Sequence, residues 1–190
     1  TNNYEIGKLG GEKMLEALPD GGKVAILTGV LGAPNLEERI TGFKDAVEGS
    51  NIEVLPVQTG EDDVQKSVEV VAQFTTANPD LAGWFFDGGW PLFADPDSSP
   101  ELKEFSANGG KVISVDSAYP MLQFVQLDMV DQLIGQNYPK MGEIGIETLY
   151  KIIKGDTSVD LGDDTHYIDT GFEEIDKSNV EEALKTKTAY

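Results

Sequence analysis

At 190 residues, 39% hydrophobic and 25% charged, the chain has an ordinary globular composition and enough length to bury a real core. A net charge of −20 argues against nucleic acid and against electrostatic docking on an anionic membrane, both of which demand basic surface, and favours a monomer. The absence of cysteine excludes disulfides, thiolate catalysis and cysteine-ligated zinc, and the single histidine, His166, leaves little room for imidazole chemistry.

No apolar run approaches the ~20 residues that span a bilayer, and no signal peptide is visible at the start. Thr1-Asn2-Asn3 leads almost directly into a predicted helix over 4–18, with Asn3 as N-cap and Ile6, Leu9, Met14 and Leu18 apolar. The chain therefore reads as following a cleaved leader or as a piece of something longer. After Pro19-Asp20-Gly21-Gly22 comes a buried strand ending at Thr28, then the turn Gly29-Val30-Leu31-Gly32-Ala33-Pro34. A helix over 36–48 follows, with Leu36, Ile40, Phe43 and Val47 on one face, capping-box spacing at Asn35 and Glu38, and Gly49 at its end.

A strand is predicted over 52–57 and a helix over 63–76 that buries Val64, Val68, Val71 and Phe74. The run Leu81-Ala82-Gly83-Trp84-Phe85-Phe86 is short, continuous and aromatic, as in a central parallel strand covered on both faces. It stops at Asp87-Gly88-Gly89-Trp90-Pro91. Asp95-Pro96-Asp97-Ser98-Ser99 reads as a turn and cap, with Ser99 and Pro100 opening a helix that ends at Asn108-Gly109. The strand over 111–115 closes on Asp116. A short helix over 120–127, a strand over 130–135 and a long helix over 140–154 complete the regular part. This alternation predicts an α/β fold, a doubly wound parallel sheet with helices on both faces in three αβα layers.

The acidic tail with Asp156, Asp160, Asp163 and Asp164 does not match the EF-hand spacing and reads as a solvated loop rather than a metal site. The pairs Gly21-Gly22, Gly88-Gly89 and Gly109-Gly110 fit neither the dinucleotide fingerprint nor the phosphate loop. No Ser/His/Asp set lies in a strand-turn-helix context. The chain offers no catalytic constellation, no metal site and no cofactor motif, and is expected not to be an enzyme.

What recurs is a polar residue where each strand ends. The one arginine of the chain, Arg39, stands in the first turns of the helix after the first strand, Asp116 ends another strand, and Gln136 ends a third. In a doubly wound sheet these ends line one crevice. Arginine donates, aspartate accepts and glutamine does both, a set suited to a ring of neutral hydroxyls. Trp90 or Tyr138 is placed to cover the apolar face of a sugar. For Arg39 alone, the competing reading is a surface arginine paired with Glu37 or Glu38.

The order of segments along nearly the whole chain resembles the type I periplasmic sugar-binding proteins, the ribose-binding branch that feeds ABC transporters. The residues that carry the resemblance are Thr1-Asn2-Asn3-Tyr4 through Leu9, Gly29 through Phe43 with Glu-Arg-Ile-Thr-Gly-Phe, and Asn78-Pro79-Asp80. They continue with Asp87-Gly88-Gly89-Trp90-Pro91, Val115-Asp116, Ile134-Gly135-Gln136, Met141-Gly142 and Lys154-Gly155. The resemblance implies the family's sugar-binding arginine at Arg39, its strand-end aspartate at Asp116 and its hinge glutamine at Gln136. Ribose-type members place an aromatic near Asp62 and an asparagine near Gly88, and this chain has neither; Trp90 is expected to supply the stacking surface instead.

By the same resemblance, the chain is an extracytoplasmic solute-binding component, periplasmic or a cell-surface lipoprotein. It would hold a monosaccharide or similar polyol between two lobes and pass it to a membrane permease. Residues 1–136 then form the C-terminal lobe, 137–165 a crossover belonging to an absent N-terminal lobe on the order of a hundred residues, and 166–190 a return segment. The helix carrying Met141, Ile144, Leu149 and Ile152 would lack part of its cover, inviting self-association. An effector domain of a lactose-repressor-type regulator shares this fold, but the sequence has no helix-turn-helix and its acidity suits DNA poorly. A flavodoxin-like or receiver domain would need an acidic pair where the first strand has Thr28-Gly29.

Overall fold

The computed structural model describes residues 1–156, 158–159 and 167–187. The helix α1 (Asn3–Ala17) leads into the central strand β1 (Gly22–Thr28), followed by α2 (Pro34–Val47) and two short strands, β2 (Ile52–Val54) and β3 (Gln58–Thr59). The helix α3 (Val64–Ala77), strand β4 (Leu81–Phe86), helix α4 (Pro100–Ala107), strand β5 (Lys111–Val115), helix α5 (Tyr119–Gln126) and strand β6 (Gln132–Gln136) continue the alternation. The long α6 (Tyr138–Ile153), the strand β7 (Phe172–Asp176) and α7 (Val180–Thr186) end it. The strands run in the order β2-β1-β4-β5-β6-β7, with β3 also paired to β1.

Side-chain alternation along the strands builds two cores, one on each face of the sheet. Val24, Ile26, Phe85, Ile113, Val115 and Ile134 point toward α1 and α2 and meet Ile6, Met14, Ile40 and Phe43. Ala25, Leu27, Trp84, Phe86, Val112 and Leu133 point the other way, toward α3, α4, α5 and α7. Phe43 and Phe85 stack with ring centroids 4.5 Å apart. The helices α1 and α2 approach so closely that a Cβ at Gly7 would lie 1.9 Å from the Arg39 carbonyl oxygen, and one at Gly42 would lie 2.1 Å from that of Tyr4. Glycine is required at that crossing for lack of space.

The fold is the expected doubly wound α/β sheet, with four local corrections. The strand expected over 52–57 is broken, because Pro56 has no N–H for the ladder; β2 pairs with the start of β1 and β3 with its end. The capping box at Asn35 and Glu38 does not form: Pro34 opens α2 without a side-chain cap, and Glu37 Oε1 accepts from Gly32 N at 2.8 Å. The cap of α1 is Asn2, not Asn3, its Oδ1 accepting from Glu5 N at 3.2 Å. The sheet is not wholly parallel. β7, in a tail that carries no strong strand pattern, pairs antiparallel to β6 with Leu133 opposite Ile175, and α7 docks Val180 into the core.

The helix α6 has no buried residue: Ile153 is 79% exposed, Ile146 72%, Tyr150 62% and Leu149 61%. No helix among the described residues is long and apolar enough to cross a membrane. Asp160, Asp163, Asp164 and His166 lie outside the described residues.

Candidate functional site

The strands β1, β4, β5 and β6 are mutually parallel, so Thr28, Asp87, Asp116 and Gln136 all emerge at one edge of the sheet. Asp116 follows β5 with φ 77°, in the left-handed region that disfavours non-glycine residues. That conformation sets its carboxylate across the crevice. Oδ2 accepts from Gly89 N at 3.2 Å, and Oδ1 accepts from Gln136 Nε2 at 2.7 Å and from the Tyr138 hydroxyl. Gln136, the last residue of β6, also donates to the Tyr138 hydroxyl at 3.0 Å. Burial raises the Tyr138 phenol above its ordinary value, and the neighbouring Asp116 charge raises it further, so the hydroxyl stays protonated.

Arg39 is 4% exposed, which rules out the surface-arginine reading. Its Nε donates to Asn3 Oδ1 at 3.0 Å and its Nη1 to the Asp87 carbonyl at 2.7 Å, not to Glu37 or Glu38. The shift of the α1 cap by one residue is what frees Asn3 for this contact. The Arg39 charge opposes the upward shift of both the Asp87 carboxyl and the Tyr138 phenol.

Asp87 is fully buried, and neither carboxylate oxygen makes a hydrogen bond of full geometry; the Thr28 hydroxyl, also buried, reaches the carboxyl only weakly. Burial pushes the Asp87 carboxyl up to about 8, against the opposing pull of Thr28 and Arg39. The group is therefore mostly neutral at neutral pH, as a buried carboxyl short of strong hydrogen bonds should be.

Trp90 begins a short 3-10 turn, Trp90–Phe93, directly after Gly88-Gly89. Its indole lies over two glycine backbones: a Cβ would meet it at 2.6 Å from Gly29 and at 2.5 Å from Gly88. Asp62, exposed and at φ 57°, hangs over the same Gly29, where a Cβ would be 2.0 Å from its Oδ1. The predicted residues thus fall in two adjoining groups: Asp116 and Gln136 bonded together with Arg39 nearby, and Trp90 with Asp62 and Gly88 around Gly29.

Three participants escape a reading of the sequence in these roles. Asn3 is disguised as a helix cap, and Tyr138, legible only as an aromatic cover, uses its hydroxyl. Asp87 had a signal, since it closes β4 as Asp116 closes β5.

A carboxylate, a carboxamide and a backbone N–H meet at the carboxyl edge of a parallel sheet, with the buried arginine bonded to the loop after β4, and such groups bond neutral hydroxyls. The sequence profile of the periplasmic binding protein domain matches residues 1–157. The D-ribose/D-allose-binding protein of Pseudomonas aeruginosa is 26% identical over 162 residues, 82% of this chain and 48% of that protein. The ribose import binding protein RbsB of Escherichia coli is 27% identical over 159 residues, 82% of this chain and 52% of that one. The chain thus spans about half the length of these relatives.

An ABC transporter solute-binding protein of Burkholderia graminis, solved with D-arabinose, superposes with a TM-score of 0.82 at 30% identity, over 94% of this chain and 61% of that one. One from Agrobacterium vitis, solved with α-D-tagatopyranose, shares the fold with a TM-score of 0.86 at 24% identity, over 100% and 62%. With the domain profile covering most of its length, the chain belongs to the periplasmic binding protein family.

Proposed function

We propose that this chain supplies one lobe of an extracytoplasmic solute-binding protein, which holds a monosaccharide or similar polyol and delivers it to the membrane permease of an ABC importer. The observation that carries the reading is the bonded pair Asp116–Gln136 at the sheet edge, with the buried Arg39 fork alongside. Asp116 accepts from sugar hydroxyls, Gln136 donates and accepts, and Arg39 donates from what its structural bonds leave free. Trp90 offers an apolar face over Gly88, and Asp62 stands at the rim. Binding and release break no covalent bond, so the assignment is to a non-enzymatic carrier that uses no cofactor and touches no nucleic acid. It fits a periplasmic or lipid-anchored surface location.

In this reading residues 1–136 are the C-terminal lobe, 137–165 pack on the other lobe, and 166–190 return. The bare apolar face of α6 fits that division, and on the isolated chain it favours self-association. One lobe provides only part of the contacts of a closing clamshell, so the isolated chain should bind sugars at millimolar concentration or weaker.

The test is calorimetric titration of D-ribose and D-arabinose into the protein with both lobes present. Asp116→Ala should weaken binding roughly ten- to hundredfold, the value of one or two charged hydrogen bonds. Unchanged affinity overturns the site. Micromolar binding by the isolated, demonstrably monomeric chain overturns the clamshell.

A further inference from the structure

The strand-end pair already has a hydroxyl in it. Tyr138 donates to Asp116 Oδ1 and accepts from Gln136 Nε2 at 3.0 Å, and Gln136 Nε2 donates to the same Oδ1 at 2.7 Å. A hydroxyl that bridges a carboxylate and a carboxamide in this way makes the contacts that a sugar hydroxyl would make there. Both amide protons of Gln136 and Asp116 Oδ1 are committed to the phenol and to each other, so an incoming polyol finds no free donor on Gln136 and must compete with the phenol at Oδ1.

The phenol is held at its hydroxyl and loose elsewhere. Tyr138 is 49% exposed and opens α6, a helix with no buried residue to anchor its first turn. The ring itself borders a cleft of about 320 Å³ lined also by Ser117, Tyr119, Gln136, Phe172 and Glu173.

We propose that Tyr138 is a specificity-determining gate: its hydroxyl occupies the place of a ligand hydroxyl on Asp116 and Gln136, and a polyol engages that pair by displacing it. The inference rests on the reading of Asp116 and Gln136 as polyol-binding. It predicts that loss of the hydroxyl strengthens binding, the opposite of what removing a ligand contact or a structural brace does.

The test is an NMR titration of the 190-residue chain with D-ribose, D-arabinose and D-allose, carried to molar sugar and followed at the Gly89 and Gln136 amides. Tyr138→Phe should bind at least one sugar roughly three- to tenfold more tightly than the parent, the range set by one modest net hydrogen bond. Its unliganded Tm should fall, because a bond is lost. Tyr138→Leu, which also lacks the hydroxyl, should change affinity in the same direction. Equal or weaker binding by both variants, with Asp116→Ala weaker than the parent, overturns the gate and leaves the site standing. If Asp116→Ala binds as the parent does, or no sugar shifts the Gly89 and Gln136 amides in any variant, the site reading falls and the gate with it.

Discussion

Arg39 Nη1 donates to the main-chain carbonyl of Asp87 at 2.7 Å, so the one arginine of the chain ties α2 to the loop after β4. Through Nε and Asn3 the same guanidinium also ties in the start of α1, at 3.0 Å. These are two bonds in two directions from a planar group, which one ammonium cannot reproduce. Arg39→Lys should therefore lose stability almost as Arg39→Ala does. The expected cost is ~1–3 kcal/mol for each buried partner left unpaired, read from urea unfolding. Asn3→Ala should show part of that loss. Full stability in the lysine variant would mean that a single charge suffices there.

Asp87 makes stability depend on pH in an unusual sense. Its folded pKa, about 8, lies above the ordinary value of 3.8, so between the two the unfolded chain is ionised while the folded chain keeps its proton. Stability from this group thus falls as pH rises through that window, by at most ~1.4 kcal/mol per pH unit. Asp87→Asn, close in shape to the protonated acid, should match the parent near pH 4 and gain on it steadily toward pH 8. Melting both proteins across that range checks it; a constant difference would mean that the carboxyl titrates normally.

The crossing of α1 and α2 offers a paired test of space against conformation. At Gly7 a Cβ would collide with the Arg39 carbonyl at 1.9 Å, whereas at Gly145, exposed within α6, nothing lies within 4 Å. Gly7→Ala should destabilise by ~1–3 kcal/mol through overpacking and displace the Arg39 backbone. Gly145→Ala should stabilise by up to ~1 kcal/mol, the helix-propensity gain at an open position. A gain at Gly7 would refute the close crossing.

The sequence and the structure part company where two physical rules compete for the same residue. Apolar runs such as the one ending at Phe86 leave no choice but a buried strand, and polar residues closing successive strands must share an edge once the sheet is parallel. Asp116 and Gln136 were legible for that reason. Asn2 and Asn3 could both cap α1; only the tertiary contact with Arg39 decides, and it takes Asn3. β7 was hidden because Phe172-Glu173-Glu174-Ile175-Asp176 turns only Ile175 into the core, leaving an edge strand with one apolar signal.

The bare helix is the sharpest difference between this chain and a self-sufficient domain. Ile146, Leu149, Tyr150, Ile152 and Ile153 are all more than half exposed, while Trp84, Phe85 and Phe86 in β4 are fully buried. Helices draw most of their stability from packing one face, so α6 should open far more readily than the sheet. In a dilute sample shown to be monomeric, amides from 141 to 153 should exchange quickly while those of β4 and β5 stay protected. Raising the concentration should slow exchange in α6 alone, as apolar faces pair. Ile146→Lys with Ile153→Lys should remove that concentration dependence and leave the melting of the sheet unchanged. Slow exchange of α6 in the dilute monomer would show that the helix needs no cover from a second lobe or a second copy.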